Sequence, residues 1–449
     1  MLEGAGALAR YFHSVQLDPA RCKGCTNCIK RCPTEAIRVR DGKARIIEER
    51  CIDCGECIRV CPNHAKSAIT DDIDRLSEFD YNIALPAPAL FGQFAEVKRP
   101  EQVLNGLLKM GFDEVFEVPL AADYVSVAVR EYIAIHGPGP WISSSCPAIV
   151  RLIQVRYPEL LKYLLPMETP MEIAAVLARG RAVKRLQIAS ERVGVWFITP
   201  CPAKVTAIHQ PEGRNSSCAN GAFAITDVYG ELIKLLPTEN QVSSSMQASG
   251  FGLGWGRAGG ESAALGIENR LAVDGVHSLL ALFDEMERGK LREIGYLECQ
   301  ACVGGCVGGA LTVDNPFLAK VRLTKLAEQL SPVVSSLAED LPDAATTDLF
   351  ALRGTIEPRP IMPLAGNMLL AIRKMEQLEQ IAYSLPGLDC GACGAPSCRA
   401  LAEDIVRGIA TETDCVLKLR ERMKDLAAEI HNLAEKLPPA MGRDPHKRG

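Results

Sequence analysis

The chain has 449 residues, of which 47% are hydrophobic and 23% charged, and a formal net charge of −5. This length allows two or three domains, and a charge so close to neutrality argues against nucleic acid or an anionic membrane as a partner. There is no run of about 18 or more apolar residues to predict a membrane span, and the N-terminus lacks the pattern of a secretion signal. We therefore expect a cytoplasmic protein.

Cysteine is the most informative residue type in the composition, with 18 copies. Disulfides are typical of small secreted domains, whereas C-x-x-C groups followed by Cys-Pro are typical of iron–sulfur ligands. Sixteen of the cysteines fall into four sets of four. This grouping predicts four [4Fe–4S] clusters.

The first seventy residues contain an internal duplication of one cysteine motif. The spacing C-x2-C-x2-C-x3-C-P occurs twice, at Cys22, Cys25, Cys28 and Cys32 and again at Cys51, Cys54, Cys57 and Cys61. The motif closely resembles that of bacterial two-cluster ferredoxins. The resemblance implies an α+β ferredoxin fold over 1–75 that transfers single electrons. It also implies that Cys61 completes the cluster of the first three cysteines and that Cys32 completes the cluster of Cys51, Cys54 and Cys57. The alternative, a zinc ribbon, uses two C-x-x-C pairs instead of two quartets.

Residues 80–325 alternate apolar runs with helical stretches, a pattern that predicts an α/β domain. Three separated loops supply four more thiolates: Cys146 in PWISSSCPAIV, Cys201 in ITPCPAKVTA, and Cys302 and Cys306 in ECQACVGGCVGGA. These loops, with GFDEVFEVPLAADY at 111–124 and the APA segment at 87–89, resemble the catalytic domain of [FeFe]-hydrogenases. The resemblance implies that Cys306 also carries a two-iron subsite with carbonyl and cyanide ligands. It further implies that Lys204 holds those ligands by a charge-assisted hydrogen bond, and that Ala87 and Pro88 contact them through backbone.

Three positions depart from the hydrogenase pattern. Ser145 stands where the family has a proton-transferring cysteine, and a serine hydroxyl relays protons poorly at neutral pH. Ala207 replaces a glutamate, and Gln300 places an amide where a methionine packs beside the two-iron subsite. Together these departures argue against fast hydrogen turnover.

The remaining cysteines and two histidines carry weaker signals. Cys299 lies three residues before a predicted ligand, so it is a candidate substitute proton relay or spare ligand. Cys218 is interpreted as a small apolar residue of the core or a loop. Lone histidines are more often structural than catalytic, so His136 and His209 receive no role.

A second cysteine group follows residues 326–362, which are interpreted as a linker or wrapping segment. Cys390, Cys393, Cys398 and Cys415 form C-x2-C-x4-C-x16-C inside a helical cluster domain predicted over 363–416. This region closely resembles the small [4Fe–4S] domain of electron-transfer complex subunits and corrinoid iron–sulfur proteins. Its asymmetric spacing is not a usual zinc pattern.

The last predicted element is a coiled-coil helix over 417–437, followed by a tail over 438–449. Its apolar seam recurs at alternating steps of three and four: Val416, Leu419, Met423, Leu426, Ile430, Leu433 and Leu437. The pattern predicts a homodimer through this helix. The alternative is a helix packed on its own domain.

Together these features predict a multi-cluster redox protein, for which three functions remain open. The first is electron relay to a hydrogenase-like site with impaired proton delivery, which converts hydrogen slowly or responds to hydrogen or redox state. Its electrons would be exchanged with a ferredoxin or an oxidoreductase subunit. The second is an active ferredoxin-type [FeFe]-hydrogenase. The third, a cluster-assembly factor, is less favoured because a scaffold has little use for a chain of clusters.

Overall fold

The computed structural model describes residues 11–137, 139–238, 245–332, 349–359 and 363–436, and shows a mixed α/β protein. The strands are β1 (Val15–Leu17), β2 (Ile37–Arg40), β3 (Lys43–Ile46), β4 (Lys66–Ala68), β5 (Tyr81–Pro86), β6 (Glu114–Val115), β7 (Trp141–Ile142), β8 (Val193–Thr199), β9 (Gly221–Ala224), β10 (Arg270–Asp274) and β11 (Tyr296–Gln300).

The α-helices are α1 (Asn27–Arg31), α2 (Glu56–Arg59), α3 (Pro88–Phe91), α4 (Glu101–Lys109), α5 (Val118–His136), α6 (Pro147–Arg156), α7 (Pro170–Leu186), α8 (Pro202–His209), α9 (Ile225–Leu235), α10 (Gly250–Gly254), α11 (Gly260–Leu265), α12 (Val276–Glu287), α13 (Pro316–Glu328), α14 (Met368–Ser384), α15 (Cys398–Val406) and α16 (Val416–Ala434). Among the described ranges, none of these helices is both long enough and apolar enough to cross a bilayer.

The described residues form two compact units. The larger unit combines residues 11–21 with 47–359, and the smaller unit combines residues 22–46 with 363–436. The smaller unit therefore contains the first ferredoxin-like quartet together with the C-terminal cysteine group. The larger unit contains the second quartet and the cysteines of the central region.

Two parallel sheets form the framework of the larger unit. One has four strands in the order β6-β5-β8-β9, and the other has three in the order β10-β11-β7. All seven residues of β8 are buried, as expected for a parallel strand covered by helices on both faces. β1 and β4 form a separate antiparallel pair in the same unit. In such α/β sheets the carboxyl ends of the strands open onto a crevice that binds ligands.

The smaller unit is built from the β2–β3 hairpin and the C-terminal helices. Its core is formed by side chains from α14 and α15, among them Leu378, Ile381 and Leu401, with Cys415 packed into it. Backbone bonds attach the hairpin to the cysteine loop, since Val39 N donates to Gly394 O at 2.8 Å. Arg38 and Arg40 of the hairpin both reach the carboxylate of Asp404 on α15, at 2.8 and 2.6 Å.

Some predicted segments fall partly outside the described residues. Within 326–362, the described part begins with the end of α13 and includes residues 349–359, where Glu168 N donates to Phe350 O at 2.7 Å and Arg359 N to Gln154 O at 3.1 Å. The last predicted seam residue, Leu437, and the tail over 438–449 lie outside the described ranges. The coiled coil itself stays a prediction.

Candidate metal centre

The central cysteines follow directly from the carboxyl ends of parallel strands. Cys146 comes shortly after β7 and Cys201 after β8, while the loop of Cys302 and Cys306 follows β11. Cys146 and Cys201 are the N-cap residues of α6 and α8, and a proline occupies the first turn of each helix. A helix N-terminus favours negative charge, so the fold places two predicted thiolates where their charge is stabilised.

The four central thiols lie close enough to influence one another's ionisation. Burial raises the pKa of Cys201 to about 12, and the charges of Cys302 and Cys146 act in the same direction. Burial likewise raises the pKa of Cys306, again with contributions from the other three cysteines. Thiols whose pKa values are raised in this way, those of Cys201, Cys302 and Cys306, do not ionise unaided at neutral pH, whereas metal binding releases their protons. This donor set therefore fits an iron–sulfur cluster.

Glycines let the ligand loop pack tightly against neighbouring backbone. Gly305 has a φ of +94°, and a Cβ at this position would lie 2.5 Å from the backbone nitrogen of Ala258. A Cβ on Gly309 would lie 2.1 Å from the carbonyl oxygen of Pro200, just before Cys201. The Gly-rich sequence thus holds the Cys302–Cys306 loop against the loop of Cys201.

A cavity of about 90 Å³ lies beside these cysteines. A single water needs only roughly 10–15 Å³, so the cavity has room for a larger group. Its walls include every residue to which the sequence assigns a catalytic or cofactor-binding role: Ala87, Pro88, Ser145, Lys204, Cys299, Gln300 and Cys306. The rest of the lining is largely apolar, including Val118, Met171, Phe197 and Trp255.

Lys204, in the first turn of α8, lines this largely apolar cavity. Burial lowers the pKa of Lys204, while the charges of Cys201, Cys306 and Cys146 act in the opposite direction. A buried ammonium is stable only with anionic or hydrogen-bonding partners. The cavity therefore suits a ligand that bears anionic groups.

Glu261 is a functional candidate that the sequence analysis missed. Its Oε1 atom accepts hydrogen bonds from Ser143 Oγ at 2.7 Å, Tyr296 Oη at 2.5 Å and Ser145 Oγ at 3.3 Å. Burial raises the pKa of Glu261, and the charge of Glu298 acts in the same direction. Among the described residues that line the cavity, Glu261 carries the one carboxylate.

Gln300 and Cys299 complete the wall of the cavity from the end of β11. The Oε1 atom of Gln300 is buried without a hydrogen-bond partner in the described structure. Cys299 is 1% exposed, and burial raises the pKa of its thiol, with the charge of Glu261 acting in the same direction. Gln300 and Cys299 thus line the same cavity as Lys204.

The remaining singled-out residues lie outside the cavity lining. Arg214 Nη2 donates to the half-buried Cys218 Sγ at 3.4 Å. His209 pairs with Asp71 at 3.3 Å, and His136 bonds to the carbonyl of Tyr132. These contacts are structural.

Buried polar groups lie next to the second ferredoxin-like quartet. Asp53, between Cys51 and Cys54, accepts hydrogen bonds from His13 Nδ1 at 2.9 Å and from Val15 N at 3.1 Å. The groups of His13, Cys51 and Asp53 lie within 4.8 Å of one another. Because Cys51 is already a predicted cluster ligand, this trio belongs to the cluster environment.

The smaller unit brings its C-terminal cysteines around one core. Cys415 is buried in that core, and Cys393 and Cys398 pack against it. Cys398 N donates to Asp389 Oδ1 at 2.6 Å, and Ser397 caps α15 by accepting from Ala400 N. Arg40 Nη1 donates to Cys393 O at 2.7 Å. The loop that carries Cys390, Cys393 and Cys398 is thus held by the hairpin of the first quartet.

Family models match three regions of the chain. Residues 80–268 match the C-terminal domain of the iron-only hydrogenase large subunit, residues 14–62 a 4Fe-4S dicluster domain, and residues 385–417 an Fe-S cluster domain. This chain contains a region similar to the iron-only hydrogenase large subunit and two regions similar to iron–sulfur cluster domains. The recognition of a hydrogenase-type domain and of 4Fe-4S domains from the sequence is thereby confirmed.

Parts of the chain are also similar to individual proteins. The periplasmic [Fe] hydrogenase large subunit of Nitratidesulfovibrio vulgaris is 30% identical over 225 residues, which cover 46% of this chain and 53% of that protein. A component of the ion-translocating oxidoreductase complex of Rhodobacter capsulatus is 53% identical over 38 residues, 8% of this chain and 20% of that protein. An apo [FeFe]-hydrogenase structure from Chlamydomonas reinhardtii aligns with a TM-score of 0.48 and 15% identity, covering 63% and 95% of the two chains. The chain spans about half the length of the curated hydrogenases it matches.

Proposed function

We propose that the chain relays electrons through four [4Fe–4S] clusters to a hydrogenase-like site whose proton delivery is slow. The site would convert hydrogen slowly or report its presence. The observation that carries this proposal is the single cavity beside Cys306, where Lys204, Ala87 and Pro88 occur together with Ser145 in place of a cysteine.

The residues that would hold each group follow from the positions described above. Cys146, Cys201, Cys302 and Cys306 would hold the central cluster, and Cys306 would also carry a two-iron subsite inside the cavity. When bound, that subsite supplies the metal at which protons and dihydrogen interconvert. Lys204 would bind its anionic ligands, and the apolar walls would exclude water and so strengthen that interaction.

Proton delivery is the step in which this chain differs from the hydrogenase pattern. Ser145 Oγ hydrogen-bonds to Glu261, so the serine can pass a proton only by giving up a hydroxyl proton of very high pKa. A cysteine thiol ionises several pKa units lower than a hydroxyl and is the better relay near neutral pH. We therefore expect slow turnover limited at Ser145.

An active hydrogenase remains the second candidate, and Glu261 is the observation that favours it. The carboxyl group of Glu261 can hold a proton at the cavity wall, next to both Ser145 and the buried thiol of Cys299. If protons pass through Glu261 and Cys299 instead of through Ser145, the serine would not limit the rate.

Infrared spectroscopy of protein coexpressed with hydrogenase maturation enzymes tests the presence of the two-iron subsite. Carbonyl and cyanide bands are the expected result, and their absence would overturn both hydrogenase functions. Hydrogen turnover should then rise about 10²-fold or more in Ser145→Cys, the lower range for a positioned acid–base group. Ser144→Cys is the matched control, because Ser144 bonds to Met167 O instead of Glu261. An equal rate in Ser145→Cys and the wild type would favour the active hydrogenase with its Glu261 route.

The partners of the chain also belong to this proposal. Its electrons would be exchanged with a ferredoxin or an oxidoreductase subunit. A second copy of the chain would pair along α16, whose seam residues are each at least 40% exposed: Val416, Leu419, Met423, Leu426, Ile430 and Leu433. None of the residues of α16 is buried within the described chain, so the apolar seam is available to a partner helix.

A further inference from the structure

The two ferredoxin-like halves align position by position at an offset of 29 residues. Each cysteine of the first quartet is followed 29 positions later by one of the second, from Cys22 and Cys51 onward. The backbone repeats as well, with left-handed residues at the paired positions Gly24 and Asp53, Thr26 and Gly55, and Glu35 and His64. Both halves also bond a backbone N–H to the fourth cysteine at 3.2 Å, from Ala36 to Cys32 and from Ala65 to Cys61.

In this repeat Lys30 is equivalent to Arg59, so a basic side chain lies between the third and fourth cysteine of each half. Arg59 Nη2 donates a hydrogen bond to Cys302 Sγ at 3.1 Å, and Cys302 is a predicted ligand of the central cluster. The same guanidinium pairs with Glu56 at 2.8 Å and interacts electrostatically with Cys54. Arg59 thus lies between ligands of two different clusters, in a largely buried position with 26% of its side chain exposed.

Lys30 makes the corresponding contact inside the smaller unit. Its Nζ donates to the carbonyl of Asp389, directly before Cys390, and to the carbonyl of Pro396, between Cys393 and Cys398. Gly391 lies directly beneath this lysine, since a Cβ there would be 3.2 Å from Nζ. The charge of Lys30 is therefore held at the C-terminal cysteine loop.

We propose that Arg59 and Lys30 are paired cationic bridges, each coupling one ferredoxin-like half to a different outer cluster, Arg59 to the central cluster and Lys30 to the C-terminal one. This inference rests on the cluster assignments of the proposed function. It makes both residues positioning residues that set the reduction potentials of their outer clusters. The step that they control is the transfer of one electron between adjacent clusters, in which one cluster is oxidised and the other reduced.

The sign of each effect follows from electrostatics. Reduction adds a negative charge to a cluster, and hydrogen bonds to its sulfurs and nearby positive charge help to set its potential. Removing Arg59 should therefore lower the potential of the central cluster. Removing the negative charge of Glu56 should raise that potential, because the charge of Arg59 is then no longer offset. Lys30 is solvent-exposed, so screening makes its effect on the C-terminal cluster smaller.

Anaerobic redox titration followed by electron paramagnetic resonance tests this inference on the full chain expressed without maturation enzymes. The central and C-terminal signals are first assigned by their loss in Cys146→Ala and Cys393→Ala. Arg59→Met should then lower the central potential by about 59 mV, equivalent to tenfold in the one-electron equilibrium, and Arg59→Lys by less. Glu56→Gln should move the central potential upward.

Lys30→Met is the matched control, since it should move only the C-terminal potential and by less than about 59 mV. The inference is wrong if Arg59→Met leaves the central potential unchanged, or if Arg59→Met and Lys30→Met move the same cluster. Opposite shifts in Arg59→Met and Glu56→Gln would distinguish coupling from a general loss of structure. A wild-type chain without a central-cluster signal would overturn the cluster assignment itself and, with it, this inference.

Discussion

Replacing Asp404 by asparagine should strongly destabilise the smaller unit. The carboxylate of Asp404 is bonded to Arg38 at 2.8 Å and to Arg40 at 2.6 Å, and the side chains of Asp404 and Arg38 are only 2% and 5% exposed. Removing one partner of a buried ion pair costs about 3–5 kcal/mol, because the other charge remains buried and uncompensated. In Asp404→Asn the charge of Arg38 remains buried without a carboxylate partner.

A graded series of variants separates this effect from a general sensitivity to charge changes. Arg40 is 21% exposed, so Arg40→Gln should cost less than Asp404→Asn. The pair of Arg45 and Asp41, on the same hairpin, is 65% and 83% exposed. Its removal by Arg45→Gln should cost about 0–1 kcal/mol, as for other surface pairs.

The assay is anaerobic denaturant unfolding, followed by circular dichroism and by bleaching of cluster absorbance. Cluster loss makes two-state analysis unsafe, so the comparison uses midpoints within the series. We expect Asp404→Asn to lower the midpoint most, Arg40→Gln less and Arg45→Gln least, with C-terminal cluster loss in step with unfolding. Equal midpoints for Asp404→Asn and Arg45→Gln would refute the reasoning from buried charge.

Three further predictions concern the larger unit and the last helix. Burial raises the pKa of Glu117 to about 7, so the protonated carboxyl stabilises the fold at acidic pH and this stabilisation is lost as the pH rises towards 7 and through it. Glu117→Gln should therefore reduce the loss of stability between pH 5.5 and 8 by about 2 kcal/mol, at about 1.4 kcal/mol for each pH unit below 7. Thermal melting at the two pH values measures this difference, and an equal loss in the variant and the wild type would contradict it. If Glu261 supplies protons, Glu261→Gln should reduce hydrogen production from a reduced dye about 10²–10⁴-fold, whereas an unaltered rate would exclude that route. Ile430→Lys should convert a dimer to a monomer in sedimentation while the neighbouring Glu429→Lys does not, and a monomeric wild type would reject the coiled coil.

Much of the central site could be predicted because its residues occur in short sequence motifs. The residues from Ala87 to Cys306 to which the sequence assigned a catalytic or cofactor-binding role do line one cavity, since each lies at or soon after the carboxyl end of a parallel strand in one of the two sheets. Glu261 carried no such signal. It is a single glutamate in the Gly- and Ala-rich stretch 258–266, and only the fold brings it to Ser145.

The sequence also could not predict which cysteine-containing segments pack together in one compact unit. The repeated cysteine motif predicts one domain over 1–75, whereas the compact unit that contains residues 22–46 also contains residues 363–436. The contacts responsible, such as those of Arg38 and Arg40 with Asp404, join residues more than 350 positions apart. Periodicity and motif spacing describe local structure, so they carry no information about such pairs.

Iron and sulfide analysis of the anaerobically purified chain, compared with its Cys201→Ala variant, examines the assignment of thiolates to clusters. Without the two-iron subsite, four [4Fe–4S] clusters correspond to about sixteen irons per chain. The wild type should contain about that amount and the variant about four fewer, since Cys201 is assigned to one cluster alone. Stoichiometric zinc in place of iron, or an iron content that Cys201→Ala leaves unchanged, would contradict the central cluster on which the proposed function depends.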